Sequence, residues 1–299
     1  MITNELGNLE TLQKEYGEAL DNFDKCINLA GISGNQMLVT KALINAARAA
    51  VQWKNFREIE KYLDPALEQI RKMNDSYFKA LGLISWGQMA RTVTSEFPES
   101  SDQWRYKAYQ VFNEALNIAE SFDNPRIKSH AISCLGKLYE DEKRIEEALY
   151  LTQRAIFEAQ RASAPELLYQ WQWQKGRLLK AKGDINGAIE SYKQAVKDLQ
   201  LIRQDLYTAY RESDISFRDK GGQIFMELAD LLFKWSESQT NPSVVQKAFK
   251  DVRWIKFHNR WYFTLPNSRC KLVFYQSCRD YVWVQCPIGH TGFFSCRHS

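Results

Sequence analysis

Two residues in the middle of the chain, His130 and Cys134, are of the types that build a thiol–imidazole nucleophile. They lie four residues apart, so a helix would place them on one face. Cys134, however, directly precedes Leu135-Gly136, a pair that suits close helix packing. A single histidine on a helix is more often a packing or surface residue than a base. We therefore predict no catalytic residue there.

Phosphate-binding and nucleophile motifs are absent from the sequence. It contains no GxxxxGK[ST] loop, no GxGxxG after a strand and no GxSxG elbow. The expectation is a protein that is not an enzyme and needs no cofactor.

Most of the remaining cysteines and histidines crowd the last 47 residues. Their spacing lacks a CxxC knuckle, so a zinc site there is the weakest of three interpretations of this tail. Its candidate ligands are Cys278, Cys286, His290 and Cys296. The second interpretation is a small β-hairpin appendage with free thiols, because KLVFYQSC and DYVWVQC alternate like short strands.

The third and favoured interpretation is that residues 253–299 are not a native domain but an out-of-frame reading. From Trp254 onward the chain has no Ala, Glu or Met, and eleven residues are aromatic. Net charge changes too: the tail carries +6 and the first 252 residues −2. A nearly neutral body gives no reason to bind nucleic acid, although a zinc-dependent nucleic-acid binder acting through the tail is a third functional hypothesis.

The body of the chain repeats one pattern of small residues. A Gly that usually follows an apolar residue is followed twelve residues later by Ala, as in Gly7 and Ala19, or Gly136 and Ala148. The equivalent second-helix positions are 19, 59, 108, 148 and 188, so the steps are 40, 49, 40 and 40 residues. Small residues recur where antiparallel helices cross closely. A set of unrelated amphipathic helices would not keep that register.

These residues resemble the tetratricopeptide repeat (TPR) family, in a variant with a longer step. Within it, the stretches AYQVFNEALNIAE, LGKLYEDEKRIEEALYLTQRAIFEAQ and ISFRDKGGQIFMELADLLF look like the arrays of bacterial CHAT-domain proteins. So does the helix that contains Trp171 and Trp173. The resemblance covers roughly residues 5–250 and implies an all-α superhelical solenoid. The caspase-like CHAT domain that would follow such an array is absent, and a short irregular or β-like tail takes its place.

The expected domains follow from this pattern. Residues 1–240 form a TPR-like array of about five units, with capping helices over 202–237 broken near Gly221-Gly222. Residues 241–252 start a helix or serve as a linker, and 253–299 form the anomalous tail.

TPR-like arrays bind partners on the concave face, which the first helix of each unit lines. Residues just after the recurring small position should point there, together with their neighbours. The predicted protein- or peptide-binding residues are Asn8, Asn45, Arg48, Gln88, Lys137, Trp173, Gln174 and Arg177. Three are cationic, which favours an acidic or C-terminal carboxylate segment as the ligand, although ordinary solvated polar residues would look the same.

The leading functional hypothesis is therefore a non-enzymatic protein–protein interaction scaffold. The alternative is a partner-sensing subunit of a CHAT or caspase-like protease system. The sequence has no run of eighteen apolar residues and no secretory signal, so we expect a cytoplasmic protein that contacts no membrane. An exposed apolar face at the N-terminal edge of the array would favour self-association.

Overall fold

The computed structural model describes residues 2–97, 99, 101–209 and 215–237, and strands at 271–273, 281–285 and 294–295. Within these ranges, the side chains of 203–221, of 237 and of the strands are outside the description. The chain divides into two compact units, Met1–Lys182 and Gly183–Ser299.

The described residues of the first unit form nine helices, and each packs against its neighbour in the chain. They are α1 (Ile2–Gln13), α2 (Tyr16–Ile32), α3 (Gln36–Trp53), α4 (Phe56–Lys72), α5 (Tyr77–Glu96), α6 (Ser101–Ser121), α7 (Pro125–Asp141), α8 (Ile145–Arg161) and α9 (Pro165–Lys182).

The ends of these helices follow from local chemistry. The side chains of Asn35, Asn55, Ser76 and Asn124 each accept a hydrogen bond from the backbone N–H three residues on, which caps the helix start. Lys54 adopts a left-handed conformation with φ 58° where α3 ends. Only short turns therefore separate α1 from α2 and α3 from α4.

The core confirms the predicted repeat register. The recurring second-helix residues Ala19, Ile59, Ala108 and Ala148 are all fully buried. Where α5 crosses α6, a Cβ placed on Gly87 would lie 2.5 Å from the ring of Phe112. Glycine at this crossing therefore sets how closely α5 and α6 approach.

The second unit contains α10 (Ile185–Ala209) and α11 (Ile215–Glu237), which pack together. The Tyr192 hydroxyl donates to Glu227 Oε2 at 2.7 Å between them. The predicted break at Gly221-Gly222 is wrong, because α11 runs through both glycines. A glycine inside a helix costs only about 1 kcal/mol, and buried Ile224, Phe225 and Leu228 anchor the following turn.

The expected capping pair over 202–237 is likewise not a separate hairpin, since its first part is the end of α10. Residues 241–252 lie outside the described part of the chain.

Three short strands, β1 (Lys271–Val273), β2 (Tyr281–Gln285) and β3 (Phe294–Ser295), form an antiparallel sheet in the order β1-β2-β3. Lys271 pairs with Gln285, and Tyr281 pairs with Ser295. The first two strands fall in the segments predicted to alternate.

Candidate functional site: the face of the first helices

The first helices of successive helix pairs form a continuous row. Helices α1, α3, α5, α7 and α9 each contact the next member of the row. All eight predicted binding residues lie on these helices: Asn8, Asn45, Arg48, Gln88, Lys137, Trp173, Gln174 and Arg177. The surface made by these five helices is called the first-helix face below.

A cleft of about 340 Å³ opens on this face between α3 and α5. Arg48 and Gln52 of α3 line one wall, and Ser85, Gln88 and Thr92 of α5 line the other. The structure thus brings two of the predicted residues, Arg48 and Gln88, into one cavity. The other three polar residues were missed, although they lie three or four positions from Arg48 or Gln88, as residues of one helix face must.

Arg48 is an exposed cation of this cleft. Its Nη1 donates to Asn45 Oδ1 at 3.2 Å, which orients the guanidinium. Among the residues that the structure describes, no carboxylate pairs with Arg48. The remaining N–H groups of the guanidinium are therefore available to an acceptor brought by a ligand.

Two predicted residues are buried and bond to the neighbouring first helix. Asn45 Nδ2 donates to Asn4 Oδ1 at 3.1 Å, between α3 and α1. Ser133 Oγ donates to Gln174 Oε1 at 2.9 Å, between α7 and α9. These amides tie adjacent units together. The Nε2 atom of Gln174 is buried and has no hydrogen-bond partner in the described part of the chain.

Gln88 links α5 to α7. Its Nε2 lies 3.1 Å from His130 Nε2 and 3.5 Å from Cys134 Sγ. Burial and, to a smaller extent, the charge of Lys137 lower the pKa of His130 to about 4. The imidazole is therefore neutral at pH 7 and can accept the amide hydrogen.

Cys134 is fully buried, and burial raises the pKa of its thiol. It therefore lacks the low pKa and exposure of a reactive cysteine. The arrangement suits packing across the row better than nucleophilic chemistry.

Acidic residues of α7 neutralise two of the other cations. Arg91 of α5 bonds Asp141 at 2.6 and 3.1 Å. Arg177 of α9 bonds both oxygens of Glu140 at 3.0 and 3.2 Å. Arg177 also stacks over Trp173, with 4.9 Å from Cζ to the ring centre. The predicted cation Arg177 is thus already paired.

Lys137 differs from these arginines. It is half-buried, and its Nζ lies 4.9 Å above the ring of buried Trp171. Burial lowers the pKa of Lys137, and Arg91 and Arg177 lower it further. No described carboxylate forms an ion pair with it.

Asn8 stands apart from the cleft, at the α1 end of the row. It is half-buried and donates to Glu5 Oε2 at 3.3 Å. Nothing in its contacts distinguishes it from a solvated helix residue.

The proposed zinc ligands Cys278, Cys286, His290 and Cys296 all lie outside the described residues. Within the described ranges, no three His, Cys, Asp or Glu side chains cluster as a metal site would require. None of the described helices combines the length and apolar character needed to cross a membrane.

No protein-family model and no curated protein matches the chain. Solved structures do. BtubC from P. vanneervenii is similar with a TM-score of 0.55 at 14% identity, over 86% of this chain and 97% of that one. Aspartyl phosphate phosphatase F from Bacillus subtilis is similar with a TM-score of 0.55 at 16% identity, over 85% of this chain and 69% of that one.

A third similar structure is a signal transduction ATPase with numerous domains from Pyrococcus horikoshii, which carries a tetratricopeptide repeat sensor. Its TM-score is 0.53 at 14% identity, over 86% of this chain and 38% of that chain. At these identities the likeness establishes the fold alone. That fold is the predicted one, a TPR-like solenoid of antiparallel helix pairs.

Proposed function

We propose that this protein is a non-enzymatic scaffold that binds an extended peptide or protein segment with an acidic group on its first-helix face. The observation that carries the proposal is the cleft between α3 and α5, with the exposed guanidinium of Arg48 at its wall. An arginine without a carboxylate partner can bind an incoming carboxylate through two parallel hydrogen bonds.

The other residues of the cleft suit a peptide backbone. Gln88 and Thr92 offer oxygen acceptors, since the Gln88 amide nitrogen already bonds across to α7 and the Thr92 hydroxyl already donates to the Gln88 carbonyl. Gln52 offers a whole amide and Ser85 a hydroxyl. Such groups both donate and accept hydrogen bonds, as a peptide bond requires. Lys54 and Glu96 pair at 2.7 Å at the margin of the cleft, so they neutralise each other there.

Lys137 provides a second cationic position farther along the row. Because burial lowers its pKa, an approaching carboxylate stabilises the ammonium form and offsets part of that burial cost. Arg91 and Arg177 contribute less, since Asp141 and Glu140 already hold them. The expected acidic groups therefore meet Arg48 and Lys137.

A test of ligand class uses the full chain and three fluorescent peptides of equal length, one acidic, one neutral and one basic. The acidic peptide should bind most tightly, and its affinity should fall as salt rises. Ser85→Trp would fill the cleft and should abolish that binding. Ser95→Trp, on an exposed position of the same helix outside the cleft, should not. Equal affinity for all three peptides would contradict the proposal.

A second candidate is a partner-sensing subunit of a CHAT or caspase-like protease system. It is supported by the resemblance of the array to the repeats of CHAT proteins. The Pyrococcus horikoshii structure, whose TPR segment is described as a sensor, supports it further. A caspase-like reading frame beside the gene, whose product copurifies with this chain, is the expected result. Its absence would leave the scaffold alone.

Self-association through α1 is part of the same proposal. Ile2, Leu9 and Leu12 are exposed apolar residues of that helix, and exposed apolar patches favour association. Size-exclusion chromatography should show a smaller species for Leu12→Glu. An unchanged elution volume would exclude this contact.

A further inference from the structure

A second cleft, between α6 and α7, is lined by three tyrosines and four charged residues. Its volume is about 280 Å³. Tyr106 and Tyr109 of α6 lie on one side, and Tyr139 of α7 lies on the other, with buried Leu138 beside it. This cleft, called the tyrosine cleft below, shares no lining residue with the cleft at Arg48.

The two tyrosine rings on α6 are exposed. Tyr106 is 63% exposed and Tyr109 is 43% exposed. Because they are three residues apart on one helix, they are neighbours on its surface. Each presents an apolar ring and a hydroxyl to the same space, the combination that is enriched at binding surfaces.

The charges around the tyrosine cleft are already paired. Arg105 Nη1 bonds Asp102 Oδ1 at 2.9 Å, and its Nε lies 3.9 Å from Glu142 Oε1. Arg144 Nη2 bonds Glu147 Oε1 at 3.0 Å. The cleft therefore offers no uncompensated charge to a ligand, unlike the cleft at Arg48.

One of these paired arginines also extends the aromatic wall. The guanidinium of Arg144 lies over the Tyr139 ring, with 4.2 Å from Cζ to the ring centre. Stacking holds the tyrosine ring in place as well as the arginine. The Tyr139 side of the cleft is thus fixed before a ligand arrives.

We infer that the tyrosine cleft binds a proline-rich segment in the polyproline II conformation. Proline rings pack on tyrosine faces, and the backbone carbonyls of such a helix are left unpaired for tyrosine hydroxyls to contact. The segment needs no charged group, because the charged residues of the walls are already paired with each other. It is also already extended, so little conformational entropy is lost on binding.

The inference is tested with the full chain and a fluorescently labelled peptide of about ten prolines, which adopts this helix in water. A Gly/Ser peptide of the same length and label is the comparison. Fluorescence anisotropy should show saturable binding of the proline peptide only. Equal binding of the two peptides would overturn the inference.

Three variants locate the site. Tyr106→Ala should weaken binding of the proline peptide by about tenfold or more, as for an aromatic anchor residue. Tyr139→Phe keeps the ring and removes the hydroxyl, so it should have a smaller effect. Tyr150→Ala is the matched control, because Tyr150 on α8 is 61% exposed and also lies under an arginine.

If Tyr106→Ala and Tyr150→Ala bind the proline peptide equally well, the tyrosine cleft is not its site. The acidic peptide should bind Tyr106→Ala with unchanged affinity, since its proposed site is elsewhere. This comparison separates a failure of the tyrosine cleft from a failure of the Arg48 cleft.

Discussion

The carboxylate of Glu140 on α7 accepts two hydrogen bonds, of 3.0 and 3.2 Å, from the guanidinium of Arg177 on α9. The next residue, Asp141, accepts two hydrogen bonds from Arg91 of α5 in the same way. Two adjacent acids at the end of α7 thus connect it to both neighbouring first helices. This connection fixes the spacing of the face on which a ligand would lie.

Removing the ion pair between Glu140 and Arg177 should destabilise the fold. Glu140→Gln leaves Arg177 beside Lys137 without a carboxylate, in a site where the two paired side chains are only 31% and 20% exposed. We expect a loss of about 1–2 kcal/mol in the free energy of unfolding, between the values typical of exposed and buried pairs. Urea titration measures it.

Glu146→Gln is the control for that change. Its partner Lys182 also lies on α9, but the side chains of this pair are 46% and 68% exposed. The expected loss is below about 0.5 kcal/mol. Equal losses for the two variants would show that the partial burial of the Arg177 pair is unimportant.

The crossing of α5 and α6 gives a second stability prediction. Gly87→Ala places a Cβ about 2.5 Å from the Phe112 ring, which should cost about 1–3 kcal/mol by overpacking. Gly17→Ala, with nothing within 4 Å of the new Cβ, should be neutral or stabilising by up to about 1 kcal/mol. A Gly87→Ala variant as stable as the wild type would refute the packing account of the repeat.

Acidification should destabilise the first unit through His130. Its folded pKa of about 4 lies below its ordinary 6.5, so the unfolded state binds the proton more readily between those values. Stability is therefore full above pH 6.5 and falls as pH drops toward 4, by up to about 3 kcal/mol. His130→Gln should flatten the pH–stability curve between pH 6.5 and pH 4. An unchanged slope would show that other groups cause the loss of stability on acidification.

The sequence was sufficient to predict the repeat because its packing depends on residue size. Only a small residue fits where two helices cross closely. Ala19, Ala108 and Ala148 lie at such crossings, and all three are fully buried. Gly221-Gly222 misled the prediction of the last helices for a related reason. A glycine weakens a helix only slightly, and burial of Ile224 and Phe225 in the following turn outweighs that cost.

The candidate site was less predictable, because a polar residue on the first-helix face can either bind a ligand or bond to the neighbouring first helix. Asn45 and Gln174 point toward neighbouring first helices and bond partners 41 residues away along the chain. That separation is about one repeat, so a search for polar residues one repeat apart would have found both pairs. Ion pairing of Arg177 by Glu140, 37 residues earlier, follows the same rule.

The tyrosine cleft left no mark in the repeat pattern. Tyr106 and Tyr109 flank the recurring residue Ala108 on α6, but neither occupies a position of the repeat pattern itself. Only their exposure in the folded protein separates them from core tyrosines such as Tyr62.

Charge reversal at Arg48 tests the central claim most directly. Binding of the acidic peptide to the full chain is measured by calorimetry for the wild type, Arg48→Glu and Arg154→Glu. Arg154 is an exposed arginine of α8, outside the cleft, and serves as the matched control. The account predicts at least about tenfold weaker binding for Arg48→Glu alone. Equal affinities for Arg48→Glu and Arg154→Glu would contradict it.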